Sequence, residues 1–222
     1  MNRIYVPATG VNNWQKLLAD PGKQWKPGYS AMCVAETWQA ANGFPPPLAD
    51  VLQKAEEPIC SLVPLLILPE HQVALEGGAA ASQSDVWVLA SHDFGLASIT
   101  IEGKVAESFG PTLSAWLKDA SEGKQDRLAF LTHLLGLSTP LPGTIRYQLL
   151  HRVGSAIIEA KRYHANVALC LIQSFSATNE GLADFQEFCR LFGKNPQPGE
   201  VVVLGQHDGI KIYAGWVHHP TP

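Results

Sequence analysis

Charge is scarce in this sequence: Asp, Glu, Lys and Arg supply only 16% of its 222 residues, against 46% hydrophobic residues. A chain with so little charge collapses around a core, which excludes an extended, solvated ensemble. Cations are scarcer still, 16 Lys and Arg against 20 Asp and Glu, for a formal net charge of -4. That balance excludes a global basic field, so any anionic substrate has to be met locally. Cysteine is sparse and scattered. Cys33, Cys60, Cys170 and Cys189 form no C-x-x-C pair, which argues against a zinc knuckle or a redox dithiol and for reduced, buried thiols. Long apolar runs are missing too. The stretch "SLVPLLIL" is too short to cross a bilayer, and "MNRIYVPATGVNNW" has no apolar leader core, so no membrane association and a cytoplasmic location are expected.

Signature loops are also lacking. Gly77 and Gly78 belong to neither G-x-x-x-x-G-K-[ST] nor G-x-G-x-x-G, and Ser155 and Ser174 lack a G-x-S-x-G elbow, so phosphate-loop and serine-hydrolase chemistry have no support. No internal repeat or low-complexity linker divides the chain, and a single domain over residues 1–222 is expected.

What is present reads as alternating helix and strand. "SAMCVAETWQAAN" predicts a helix over residues 30–42, capped by Ser30 and ended by Gly43, with Met32, Ala35 and Trp38 on its apolar side. Glu36 interrupts that composition, either as a solvated flank residue or as part of a site. A triple proline precedes a short helix at residues 48–56. Three strands follow: one in "SLVPLLILPEHQVAL", with Pro64 and Pro69 at its ends or at a bulge, one at residues 85–90, and one at residues 96–105, the last two joined through "SHDFG". Helical patterns cover residues 111–120, 127–135 and 145–164. In the last, Leu149, Val153 and Ala156 define a core side, while Gln148, Arg152, Ser155 and Glu159 form a polar one. "NVALCLIQSF" reads as a doubly buried strand, "GLADFQEFCRLFG" as a helix, and two closing strands end the chain. This order implies an α/β fold, a mixed central sheet with helices on both sides.

The chemistry concentrates in the third strand. Alternation puts Ser98, Thr100, Glu102 and Lys104 on one face and Ile99, Ile101, Gly103 and Val105 on the other. A wet face explains such a row without any function, the Glu102 and Lys104 pair then adding at most about 1 kcal/mol. Asp85 changes the weighting, because a hairpin near Asp93 brings it onto the strand beside Glu102. Two converging carboxylates, with the Gly103 carbonyl as a further oxygen, suit Mg²⁺ or Mn²⁺, and Lys104 is placed to act on a water or on a phosphate. Glu107, past the strand end, reads as a loop carboxylate.

Asp85, followed by Glu102-Gly103-Lys104 and preceded by a helix carrying Glu36, resembles the PD-(D/E)XK nuclease-like superfamily. The order of elements between Ser30 and Phe175 is similar to its helix, three strands, helix and strand core, the restriction-endonuclease-like core. "SDVWVLA", "IEGKVAESFG" and "RYQLLHR" resemble an uncharacterised bacterial branch of it. The resemblance implies metal ligation by Asp85 and Glu102, assistance to the attacking water by Lys104, and a supporting role for Glu36. It also implies that Gln148, with Arg152 one turn on, approaches the substrate. Ser84 stands where the motif name has proline, and residues 111–143 exceed a minimal core connection. The activity implied is metal-dependent phosphodiester hydrolysis of DNA, or of RNA. The alternative is an inactive nuclease fold that binds protein or nucleic acid. Many nucleases of this fold pair as dimers, and a homodimer is left open.

Overall fold

The computed structural model describes residue 4 and residues 9–219; part of the N-terminal stretch read for a leader, residues 1–3 and 5–8, lies outside them. Three strands open the sheet, β1 (Val63–Val73), β2 (Ser82–His92) and β3 (Gly95–Lys104), as an antiparallel meander. The β2–β3 turn has only Asp93 and Phe94 between the paired His92 and Gly95. Gly95 is required there. Its φ is +149°, and a Cβ would lie 2.7 Å from Asn166 Oδ1. Proline behaves as expected in β1, with the register slipping between Pro64 and Leu66, although Pro69 stays inside the ladder opposite Val86.

Ahead of the sheet lie two one-turn helices, α1 (Val11–Trp14) and α2 (Pro21–Gln24), then α3 (Ser30–Ala41) and α4 (Pro46–Gln53). The α3 span matches its periodicity, but its caps differ from expectation. Ser30 is the first helical residue rather than the cap, its N–H taken by Glu107 Oε1 at 3.0 Å, and the left-handed residue ending the helix is Asn42, φ +44°.

After β3 come α5 (Leu113–Trp116), α6 (Glu122–Leu134) and α7 (Tyr147–Arg162). The first is far shorter than residues 111–120, because a left-handed Asp119, φ +58°, turns the chain before the helix can extend. These helices carry the crossover to β4 (Val167–Ser174), parallel to β3 and buried at every position. Then α8 (Leu182–Arg190), β5 (Val201–His207) and β6 (Ile210–His218) close the chain, with β6 parallel to β4 and β5 antiparallel at the edge. The six strands run in the order β1-β2-β3-β4-β6-β5.

Apolar layers cover both faces of this sheet. Leu149, Val153 and Ile157 of α7 join Phe185, Phe188 and Trp216 on one side. Val34 and Trp38 of α3 join Leu48, Ile99 and Leu169 on the other. The protein is therefore α/β, with a six-stranded mixed sheet flanked by helices, as its patterning implied. No helix among the described residues is long and apolar enough to cross a membrane.

Candidate active site

The row Ser98, Thr100, Glu102 and Lys104 is not a wet face. Their exposures are 0%, 0%, 4% and 5%, because α7 lies across them. Ser98 accepts from Trp87 Nε1 at 2.9 Å, and Thr100 donates to the Arg152 carbonyl at 3.1 Å. The stripe of α7 that reads as polar is itself turned inward. Arg152, Ser155 and Glu159 are 6%, 0% and 0% exposed.

Glu102 is the hub of this buried layer. Its Oε1 accepts from Lys104 Nζ at 2.9 Å and from Gln148 Nε2 at 2.7 Å, while Arg152 Nε donates to Oε2. The side-chain carbonyl of Gln148 in turn accepts from Lys104 Nζ at 3.2 Å. Burial alone pushes Glu102 up, but the charges of Arg152 and Lys104 outweigh it and hold the carboxyl down at about 2. Glu102 is thus a fixed anion with both oxygens engaged. The Phe109 ring covers Lys104, its centroid 4.9 Å from Nζ.

Asp85 sits one position beyond the Val86 to Ile101 pair and so faces Glu102 across the hairpin. Its Oδ2 accepts from the Gly103 N–H at 2.6 Å, and that N–H is the contact Gly103 makes with the site. On its other side, between the Pro69 to Val86 and His71 to Ser84 pairs, Asp85 faces Glu70. Glu70 has φ +52° inside a strand, a conformation that costs a residue other than glycine roughly 1–3 kcal/mol. Its carboxylate accepts from Gln83 Nε2 at 2.8 Å. Burial, and then repulsion from Glu102, raises Asp85 to about 7; burial, and then repulsion from Asp85, raises Glu70 to about 8. Among the described residues neither is ion-paired.

Glu70, Asp85, Glu102, Lys104, Gln148 and Arg152 line one open cavity of about 670 Å³ at the carboxyl end of β3. Asp85, Glu102, Lys104, Gln148 and Arg152 are brought together there as expected, and Glu36 is not. Glu36 is an exposed residue of α3, and the acid that meets this helix is Glu107, which also accepts from Val105 N at 2.7 Å. Burial works to raise Glu107, but those two N–H donors prevail and its carboxyl is lowered.

The sequence reading missed Glu70 and His151. Glu70 had no signal, since only a positive φ and the β1–β2 register turn it toward Asp85. His151 lies within the "RYQLLHR" stretch, where a lone histidine on a helix carries no signal of its own. Its Nδ1 is 2.8 Å from Ser82 Oγ and 3.3 Å from Arg152 Nη1. Arginine can only donate, so Nδ1 accepts and the ring proton sits on Nε2. Burial first, and then the charge of Arg152, lower its pKa well below the usual value, leaving the ring neutral at neutral pH.

The two carboxylates Asp85 and Glu70 are hard oxygen donors, the type that Mg²⁺ and Mn²⁺ take. Asp85 and Glu70 line the cavity without an ion-pair partner among the described residues, and burial with mutual repulsion raises both. Glu102 is already neutralised by the chain itself. Among the described residues no group of three or more His, Cys, Asp or Glu side chains is arranged around a metal position.

Comparison with known proteins adds a family and no activity. The model of a family described as Domain of unknown function (DUF6946) matches residues 7–221. No curated protein and no solved structure matches the chain.

Proposed function

The chain belongs to the DUF6946 family, a domain of unknown function, and we propose that it is a metal-dependent phosphodiesterase of the PD-(D/E)XK kind, acting on DNA or RNA. One observation carries the reading: Asp85, Glu102, Lys104 and Gln148, from three separate stretches of chain, meet in a single cavity with Lys104 Nζ 2.9 Å from Glu102. Asp85, with Glu70 opposite, would hold Mg²⁺ or Mn²⁺. When bound, such an ion supplies Lewis acidity toward water and neutralises phosphoryl charge.

The chain's own groups have definable tasks. Arg152 keeps Glu102 ionised and fixed, and Glu102 with Gln148 aims the Lys104 ammonium. That ammonium is the cation placed to donate to a phosphoryl oxygen as negative charge builds on it. Neutral His151 keeps a proton on Nε2, and a neutral imidazole in a site of this kind can donate a hydrogen bond to an oxygen on which negative charge develops. The four free thiols, three of them buried, agree with a cytoplasmic location.

The test is cleavage of end-labelled DNA and RNA in Mn²⁺ by the parent, Lys104→Met and Asp85→Asn, with folding checked by circular dichroism. Cleavage by the parent that falls by about 100-fold or more in both variants is expected, the scale of losing one electrostatic stabiliser. Equal rates in all three proteins would remove these roles.

A second reading has its own observation, because both Glu102 oxygens are already bonded to the chain. On that reading the protein is a nuclease-like scaffold that binds nucleic acid or another protein without cleaving. Its mark is partner binding indifferent to Mn²⁺ and to Asp85→Asn.

A further inference from the structure

The mouth of the cavity carries features that hydrolysis alone does not require. Tyr29 lines it and is 43% exposed, one of the few large hydrophobic residues left in solvent. Its backbone is held on both sides: the N–H donates to the Lys26 carbonyl at 3.1 Å, and its own carbonyl accepts from Cys33 N at 3.2 Å, at the start of α3. Lys26 Nζ lies 5.6 Å from the ring centroid. An exposed aromatic ring on an anchored backbone, beside a cation, is an element on which proteins stack the bases of a single strand, since every base presents a π face.

The charge around the cavity argues against a duplex. Lys104 meets the reacting phosphate at the floor and Arg152, 6% exposed, is bonded to Glu102, so flanking phosphates are left with Lys23 in the lining, itself 2.9 Å from Asp20, and with Lys26 beside the Tyr29 ring. Duplex binders commonly neutralise about 6–10 phosphates, and this chain carries a net charge of -4. Depth argues the same way. With Glu102 only 4% exposed at the cavity floor, a phosphate reaches it more readily on a flexible strand than on a stiff double helix.

We infer that the cavity takes a single nucleic-acid strand, with one base stacked on Tyr29, and disfavours the duplex; the inference rests on the phosphodiesterase reading for the chemistry at the floor. The test is fluorescence anisotropy with a short labelled strand and the same strand annealed to its complement. Ca²⁺ serves as the divalent ion, and integrity of the strand is checked on a gel. The single strand is expected to bind at least about tenfold tighter than the duplex, Tyr29→Ala to weaken it about tenfold, and Tyr29→Trp to preserve it. Duplex binding as tight as the single strand, no binding of either, or an unchanged affinity in Tyr29→Ala would overturn the inference. Cleavage in Mn²⁺ is read separately. Tyr29-dependent binding without cleavage would remove the hydrolytic reading and keep the inference, whereas cleavage of the duplex by Tyr29→Ala at the parent's rate would do the reverse.

Discussion

A carboxylate that is 4% exposed persists as an anion only through the groups around it, and Glu102 has three: Lys104, Gln148 and Arg152. Removing the buried guanidinium strands that charge. Arg152→Met is expected to lower the unfolding free energy by about 3–5 kcal/mol, the cost of breaking a buried pair from one side, and urea unfolding measures it. A loss under about 1 kcal/mol would show that the pair does not form. Asp85 and Glu70 set the opposite pH dependence. Raised to about 7 and about 8, they make the folded protein bind more protons than the unfolded chain between roughly pH 4 and 8, so stability falls as pH rises through that window. Glu102, held down at about 2, contributes stability above its ordinary range that is lost only as pH drops toward 2. His151, lowered by burial and Arg152, works the other way below about pH 6.5, so the urea midpoint is expected to decline from pH 7 to pH 8, and Asp85→Asn to flatten the decline. A parent midpoint that is level or rising over this range would contradict the charge assignment.

At the scale of elements, the site depends on how closely α3 approaches β3. A Cβ on Gly103 would come within 2.4 Å of Val34 Cγ2 and 3.2 Å of Asp85 Oδ2, so the glycine admits the helix and leaves room for the carboxylate. Gly103→Ala is expected to cost about 1–3 kcal/mol. Adding Val34→Ala should recover part of that loss, a non-additivity read from a double-mutant cycle. Simple addition of the two losses would mean the contact is not limiting. Much at this scale was legible in the sequence. Periodicity located α3, the hairpin of β2 and β3, the doubly buried β4 and the closing pair, because each has one dominant spacing. The carboxylates of Asp85 and Glu102 followed from the hairpin. Glu70 was hidden because backbone conformation, not pattern, directs it inward. The burial of the Arg152, Ser155 and Glu159 stripe was hidden because a polar helical face reads as solvated until a second polar row, here Ser98 to Lys104, is seen to cover it. Of the two readings open for Glu36, the structure shows the solvated flank residue, and the acid that reaches the cavity beside α3 is Glu107, from the loop after β3.

Over the whole molecule, the parallel strands β3 and β4 open their carboxyl ends on the same side, and the cavity forms there, between the meander and α7. Such ends are where open α/β sheets take ligands. The net charge of -4 leaves recognition to this one locality. The account turns on whether the uncompensated carboxylates there exist to take a cation. Calorimetric titration of Mn²⁺ into the parent and into Asp85→Asn at pH 8, where the carboxylates are most ionised, tests that directly. Asp85→Asn keeps an oxygen for the Gly103 N–H and should fold. Binding by the parent, weaker at pH 5 and abolished in Asp85→Asn, is the expected result. Equal binding by both proteins, or none by either, would contradict the metal site and leave the cavity to the binding reading.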